Sequence, residues 1–252
     1  MKLKLFAIGL AATLAAGPVL AKDWSTVRIA VDVPYEPFEF KLPDGTLTGF
    51  EVDLGNAVCA EIKAKCEWVV QGWDGIIPGL ISRKYDAIMS SMNITAERRE
   101  KVLFSEPYYS TPSAWFGKKD VLGLDVTSKD ALKGKVVGVQ RGTIQDTYVT
   151  DNFGSAVDVK RYATADELVL DLTGGRLDLV FLDYPVGEQT IITNADYSQV
   201  GTMVKMDDGV AVAFRKKDED LAQMFNAALK KLKEDGTYDT IMKKYFKYDI
   251  KI

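Results

Sequence analysis

The chain has 252 residues, 36 acidic and 32 basic, a formal charge of −4, and a composition that is 47% hydrophobic and 27% charged. Those proportions fit one or two ordinary globular domains and argue against a nucleic-acid binder, which carries a basic face. Histidine is absent, which excludes Ser-His-Asp and Cys-His chemistry and removes the commonest general base and transition-metal ligand.

In chain order, Lys2 and Lys4 precede an apolar run from Leu5 to Ala16, a Gly17-Pro18 breaker and the small-residue pattern Val19-Leu20-Ala21. This reads as an export signal over residues 1–21, cleaved after Ala21. An apolar run of about 12 residues is short of the roughly 20 that a permanent membrane span needs. The mature chain is therefore expected to start at Lys22 and to be free in the periplasm, with no cysteine at the cleavage site for a lipid anchor. Losing Lys2 and Lys4 leaves it more negative still.

From there strands and helices alternate, the pattern of an α/β protein. Val27–Val31 reads as a strand, and Gly49–Lys65 as a helix with Phe50, Leu54, Val58 and Ile62 on one face. Strands at Glu67–Gln71 and Asp86–Ser90 flank a helix over Ile76–Arg83. A second unit repeats the scheme: strand Lys135–Val139, helix Thr143–Asn152, strand Val157–Tyr162. Thr164-Ala165-Asp166-Glu167 is a capping box opening a helix that Gly174-Gly175 ends, followed by a buried strand at Leu179–Leu182. After a strand from Val210, a helix carries Leu221, Phe225, Leu229 and Leu232 at helical spacing. Gly236 closes it, and a short helix ends near Phe246. Two such units imply two lobes. The pattern leaves open which lobe the C-terminal segment joins.

Cys59 and Cys66 are the only cysteines. In an exported chain, two this close read as one disulfide, contributing roughly 2–3 kcal/mol on a loop-closure estimate. The glycines at 134, 138 and 142 fit no dinucleotide or phosphate-loop fingerprint.

Six stretches carry a resemblance: Gly49–Leu54, Trp73–Leu80, Asp86–Ser91, Leu132–Val139, Gly175–Asp178 and Asp235–Tyr238. In this order the chain resembles the polar amino-acid branch of the periplasmic solute-binding proteins of ABC importers, and the cysteine spacing is similar to that of the lysine/arginine/ornithine-binding members. The resemblance implies the type II periplasmic-binding-protein fold, two α/β lobes joined by two hinge strands. Lobe 1 would be residues 22–111 plus 206–252 and lobe 2 residues 112–205, with hinges at Tyr108–Pro112 and Lys205–Asp208. The region from Thr193 to Gly209 is shorter than in those relatives.

It also implies an interlobe site for a free amino acid. Arg98 would take the ligand carboxylate, since a guanidinium offers a planar pair of donors; read alone, it is a solvated arginine near a helix start. The Ser91 hydroxyl would add a donor, and Ser90, Asn93 and Gln140 belong to the same implied set, with Asn93 standing where serine or threonine is usual. Asp183, at the carboxyl end of a buried strand, would receive the ammonium; read alone, it caps a helix before Pro185. The helix start at Thr143, Ile144 and Gln145 would close over the carboxylate. Tyr35 and Trp73 match the aromatics that sandwich the aliphatic stem, though as isolated residues they read as core packing. Asp32 would meet a basic side chain. With Arg98 and Asp183 matched to the α groups, its charge needs a cationic complement, unless Arg141 points inward.

The expected function is thus binding of arginine, lysine or ornithine for an inner-membrane permease, by a monomer that is not an enzyme and uses no cofactor or metal. Opine (octopine or nopaline) or glutamine binding on the same fold, and a periplasmic dehydratase acting on prephenate or arogenate, are the alternatives.

Overall fold

A computed structural model describes residues 22–206 and 208–252; the export signal read over residues 1–21 lies outside them. The first half runs β1 (Thr26–Val31), a hairpin of β2 (Phe40–Lys41) and β3 (Leu47–Thr48), α1 (Phe50–Glu61), β4 (Lys65–Val70), α2 (Ile76–Ile81), β5 (Ala87–Ile88), α3 (Ala96–Lys101) and β6 (Leu103–Phe104). The chain then crosses to β7 (Ser113–Lys118), β8 (Val136–Gln140), α4 (Ile144–Phe153), β9 (Asp158–Tyr162), α5 (Ala165–Thr173), β10 (Leu179–Asp183), α6 (Tyr184–Thr190) and β11 (Tyr197–Val204). It returns through β12 (Ala213–Phe214), α7 (Glu219–Glu234) and α8 (Thr237–Tyr245).

Two five-stranded sheets result, in the orders β4-β1-β5-β12-β6 and β11-β7-β10-β8-β9. In the first, β1 runs parallel to β4 and β5, and β12 lies antiparallel between β5 and β6. In the second, β8, β9 and β10 are parallel, with β7 antiparallel to β10. Ile29 opposite Ala87 sets the carboxyl ends of β1 and β5 side by side. Leu179 opposite Val137 does the same for β10 and β8. Ligands of open α/β sheets gather at such strand ends.

The local sequence explains these elements. Leu221, Phe225, Leu229 and Leu232 of α7 are all buried, while Glu219 and Asp220 open the helix and Lys231 and Lys233 close it, complementing its dipole. Thr164 caps α5 by accepting from the Glu167 backbone N–H at 3.3 Å. The helix read over Gly49–Lys65 ends early, at Glu61, because Lys65 already pairs with Thr26 as a strand. The Cys59–Cys66 disulfide ties the end of α1 to the start of β4. The strand read over Asp86–Ser90 shrinks to Ala87–Ile88, the two residues paired with β1 and β12, although the N–H groups of Asp86 and Met89 still donate to the carbonyls of Arg28 and Ala30.

Gly49 is the residue that lets α1 meet the preceding turn. It holds φ at +125°, and a Cβ there would lie 2.2 Å from the Phe38 carbonyl oxygen. The close approach allows the N–H groups of Phe50 and Glu51 to donate to the carbonyls of Pro37 and Phe38, at 3.0 and 2.9 Å. Glu39 and Glu51 are thereby both drawn into the interior, at 1% and 0% exposure.

Candidate ligand-binding cleft

The first wall of the cleft hangs from the ends of β1 and β5. Asp32 follows β1, and its backbone N–H donates to Ser90 Oγ at 2.8 Å, joining the two strand ends. Ser90 Oγ in turn donates to Glu39 Oε1 at 2.9 Å. Ser91 adopts φ of +51°, a left-handed conformation that costs a non-glycine residue on the order of 1 kcal/mol, and its Oγ bonds the Tyr109 hydroxyl at 2.9 Å. That turn carries the chain to Asn93 and to α3, where Thr95 Oγ1 accepts from the Arg98 N–H.

The second wall comes from β8, β10 and α4. Gly142, at φ +71°, turns β8 into α4, whose N-cap Thr143 accepts from the Asp146 N–H at 3.1 Å. Gln145 is buried and donates from Nε2 to Ser113 Oγ at 2.9 Å and Asp183 Oδ1 at 3.1 Å. Asp183 occupies the N-cap position of α6 but makes no side-chain capping bond. Its carboxylate faces the cleft instead, accepting from the Tyr35 hydroxyl at 2.6 Å.

The two walls are in direct contact. Besides Tyr35 to Asp183, Gln140 Nε2 donates to Asp32 Oδ2 at 2.9 Å. At the mouth the Gly142 carbonyl accepts from Trp73 Nε1 and Arg98 Nη2, both at 3.2 Å. Arg141 pairs with Asp74 at 2.8 Å, outside the cavity. Arg141 is therefore committed to the rim and does not neutralise Asp32.

Between the walls lies a cavity lined by Asp32, Tyr35, Trp73, Ser90, Ser91, Asn93, Gln140, Thr143, Gln145 and Asp183, with Glu39. Two sequence-predicted residues stand apart. Ile144 is not among the lining residues, and Arg98 sits at the edge, lining the adjoining surface depression with Trp73 and Gly142. Arg98 is not solvated: it is 8% exposed, donates to the Asn93 carbonyl at 2.8 Å, and stacks over the Trp73 ring at 5.1 Å. Those bonds engage two of a guanidinium's five N–H groups. Sequence reasoning missed Glu39 and Ser113; the only trace of Glu39 is a lone charge between Phe38 and Phe40.

The electrostatics are one-sided. Three carboxyl groups reach this cavity, and among the described residues no lysine or arginine lines it. Burial pushes Asp32 up to about 6, against the opposing hydrogen bond from Gln140. Burial, then the neighbouring Glu51, holds Glu39 well above the usual carboxylate range. Burial also raises Glu51 to about 7, opposed by its bonds from Tyr108 and Tyr109. At the rim, burial lowers Arg98 to about 10, far too little to discharge it near neutrality. Among the described residues, no three acidic or cysteine side chains are placed so that together they could hold a metal ion.

Two α/β lobes with their strand ends facing a closed polar cavity make the construction of a receptor for a small polar ligand. Residues 27–248 match the bacterial extracellular solute-binding proteins, family 3, and the chain belongs to that family. It is 43% identical to the L-arginine-binding protein of Pseudomonas aeruginosa, over 96% of this chain and 95% of that one. It is 38% identical to the lysine/arginine/ornithine-binding periplasmic protein of Escherichia coli, over 89% of each. Its structure is similar to that of an ancestral arginine-binding protein bound to arginine, with a TM-score of 0.82, 36% identity, and 88% of this chain and 98% of that one covered. The fold is thus the type II periplasmic-binding-protein fold, and these relatives are binding proteins rather than enzymes.

Proposed function

We propose that this protein is an exported, periplasmic receptor that binds arginine, lysine or ornithine between its lobes and delivers it, unchanged and as a monomer, to an inner-membrane ABC permease. The observation that carries the reading is the charge of the cavity. Asp32, Glu39 and Asp183 converge where, among the described residues, no lysine or arginine lines the wall, and Arg98 stands at its edge. A neutral amino acid matches Arg98 with its carboxylate and Asp183 with its ammonium, and leaves Asp32 buried and uncompensated. A basic amino acid supplies the missing charge, and a buried ion without a partner costs several kcal/mol. Tyr35 and Trp73 would hold the aliphatic stem, with Ser90, Ser91, Asn93, Gln140, Thr143 and Gln145 as the polar surround. Closure of the lobes, by bending where the chain crosses between sheets near Tyr108–Pro112 and Lys205–Asp208, would create the face that the permease reads.

The names of the relatives support the same ligand class, since those proteins bind arginine, or lysine, arginine and ornithine. Calorimetry on refolded, ligand-stripped protein tests the reading. Micromolar or tighter binding of at least one basic amino acid is expected, as is recovery of both prephenate and arogenate unconverted. Heat with glutamine alone, or with no basic amino acid, overturns it.

A further inference from the structure

Glu39 is a buried acid that the charge matching above leaves without a task. It lines the cavity at 1% exposure; Oε1 accepts from Ser90, and Oε2 accepts no hydrogen bond. Among the described residues, the titratable groups that face it are acidic or phenolic: Glu51 from α1, Asp32 from the end of β1, Asp183 from the end of β10, Tyr35 from the turn, and Tyr108 and Tyr109 from the crossing segment. The arginine at the cavity edge, Arg98, donates to the carbonyls of Asn93 and Gly142. An ionised carboxylate in such a place has one hydroxyl donor and several like charges, and a buried group so placed takes up a proton instead. The same group, once a cation enters the cavity, has the counter-ion that favours its charged form.

We propose that Glu39 is a proton-exchanging specificity residue, neutral in the ligand-free cleft and ionised against the cationic side chain of the bound amino acid. The O–H bond of Glu39 breaks on binding, the proton leaves to solvent, and the carboxylate so formed pairs with the ligand's guanidinium or ammonium. The inference rests on the basic amino-acid reading above. It adds that binding of a basic ligand releases a proton, whereas binding of a neutral one does not. The geometry stands beside that: a fully buried side chain on the cavity lining, an oxygen without a hydrogen-bond donor, and a ring of acids. The upward push on Glu39, caused first by burial and then by Glu51, agrees with it.

The test is to count protons by calorimetry of arginine binding at pH 7.5, in two buffers of different ionisation heat. Asp32, raised only to about 6, is already ionised there. Citrulline, which has the same α groups and an uncharged end, subtracts any exchange at those groups. The wild type should release close to one proton per arginine and none with citrulline. Glu39→Gln should lose the release, while Glu51→Gln should keep it. If Glu39→Gln does not fold, the wild type and Glu51→Gln together still decide: in both, arginine affinity should rise with pH, up to tenfold per unit, against a flat profile for citrulline. Arginine binding without proton release, equal release with citrulline, or release lost in Glu51→Gln but kept in Glu39→Gln overturns the proposal. Absence of heat with every basic amino acid would instead defeat the functional reading.

Discussion

The two edges of the first sheet treat buried acids in opposite ways. At the amino-terminal edge, Asp86 takes two side-chain bonds from Arg28 and one from Arg215, each 2.9 Å, and Arg215 also pairs with Asp218. At the carboxyl edge, Asp32 and Glu39 are as deeply buried but have no basic partner among the described residues. Burial would raise Asp86, yet the bonds from Arg28 and Arg215 outweigh it and leave its carboxyl below the usual range; at Asp32 burial wins. One edge is electrically complete within the chain. The other is completed by what binds to it, and that incompleteness is the strongest physical mark of a ligand site in this molecule.

Breaking the complete edge should have the largest effect. Arg215→Met would strip Asp86 and Asp218 of a shared partner and remove the donor to the carbonyls of Leu80 and Tyr85. Asp86 keeps Arg28 and Asp218 keeps Lys22, but several buried charge-assisted bonds are lost, each about 1.5–3 kcal/mol, so the denaturant midpoint should fall steeply while the folded fraction keeps its ligand preference. At the incomplete edge the same kind of change should act on binding alone. Asp32→Asn should weaken arginine and lysine by about 2–5 kcal/mol in calorimetry. It should not lower the unfolding midpoint of the ligand-free protein, because no internal ion pair is lost.

The edges should also differ in the sign of their pH dependence. Asp32 and Glu51 have carboxyls raised to about 6 and about 7, so the folded ligand-free protein holds protons that the unfolded chain has released. Their contribution is fully present below the ordinary carboxylate range and is lost as pH rises through about 6 and 7. Asp86 is lowered, so its contribution is present above that range and is lost on acidification. The unfolding free energy of ligand-stripped protein, from denaturant titration, should therefore decline between pH 5 and 8, by about 1–3 kcal/mol in total. Glu51→Gln should flatten the upper part of that decline, and saturating arginine should oppose it.

How much of this was legible beforehand follows from what each residue's neighbours are. The helices of both halves could be read because their apolar faces repeat within a short window, as Leu221 to Leu232 do on α7. Strand β7, a run of small and aromatic residues, carries no alternating pattern, and β5 and β12, two residues each, are shorter than the strands read at Asp86–Ser90 and from Val210. They are strands because partners far along the chain hold them. In the cleft, Asp32, Tyr35, Trp73 and Asp183 stood out through a family likeness and through placement at strand ends. Glu39 did not, because its meaning lies in Glu51, Ser90 and Asp183 converging on it from separate elements. Arg98 could be named but not placed, since its stacking on Trp73 joins segments apart in sequence and its bond to Gly142 crosses between the lobes.

The smallest expected effect belongs to the pair that bridges the mouth. Arg141 and Asp74 are each about half exposed, at 52% and 50% of their side chains, and join the lobes at 2.8 Å. Exposed pairs of this kind contribute about 0.2–1 kcal/mol and are screened by salt. Beside them, the Gly142 carbonyl accepts from Trp73 and Arg98 without involving either member of the pair. A double-mutant cycle with Arg141→Ala and Asp74→Ala should thus give a coupling below about 1 kcal/mol, seen as a few-fold faster ligand release with little change in association. Raising the salt concentration should erase that coupling. It should leave the loss in Asp32→Asn nearly intact, because Asp32 is buried behind the pair and screening ions do not reach it. Equal salt sensitivity of the two would mean that the cleft is open to solvent when the ligand is bound, and that the incomplete edge is an exposed acidic surface instead of a closed counter-charge.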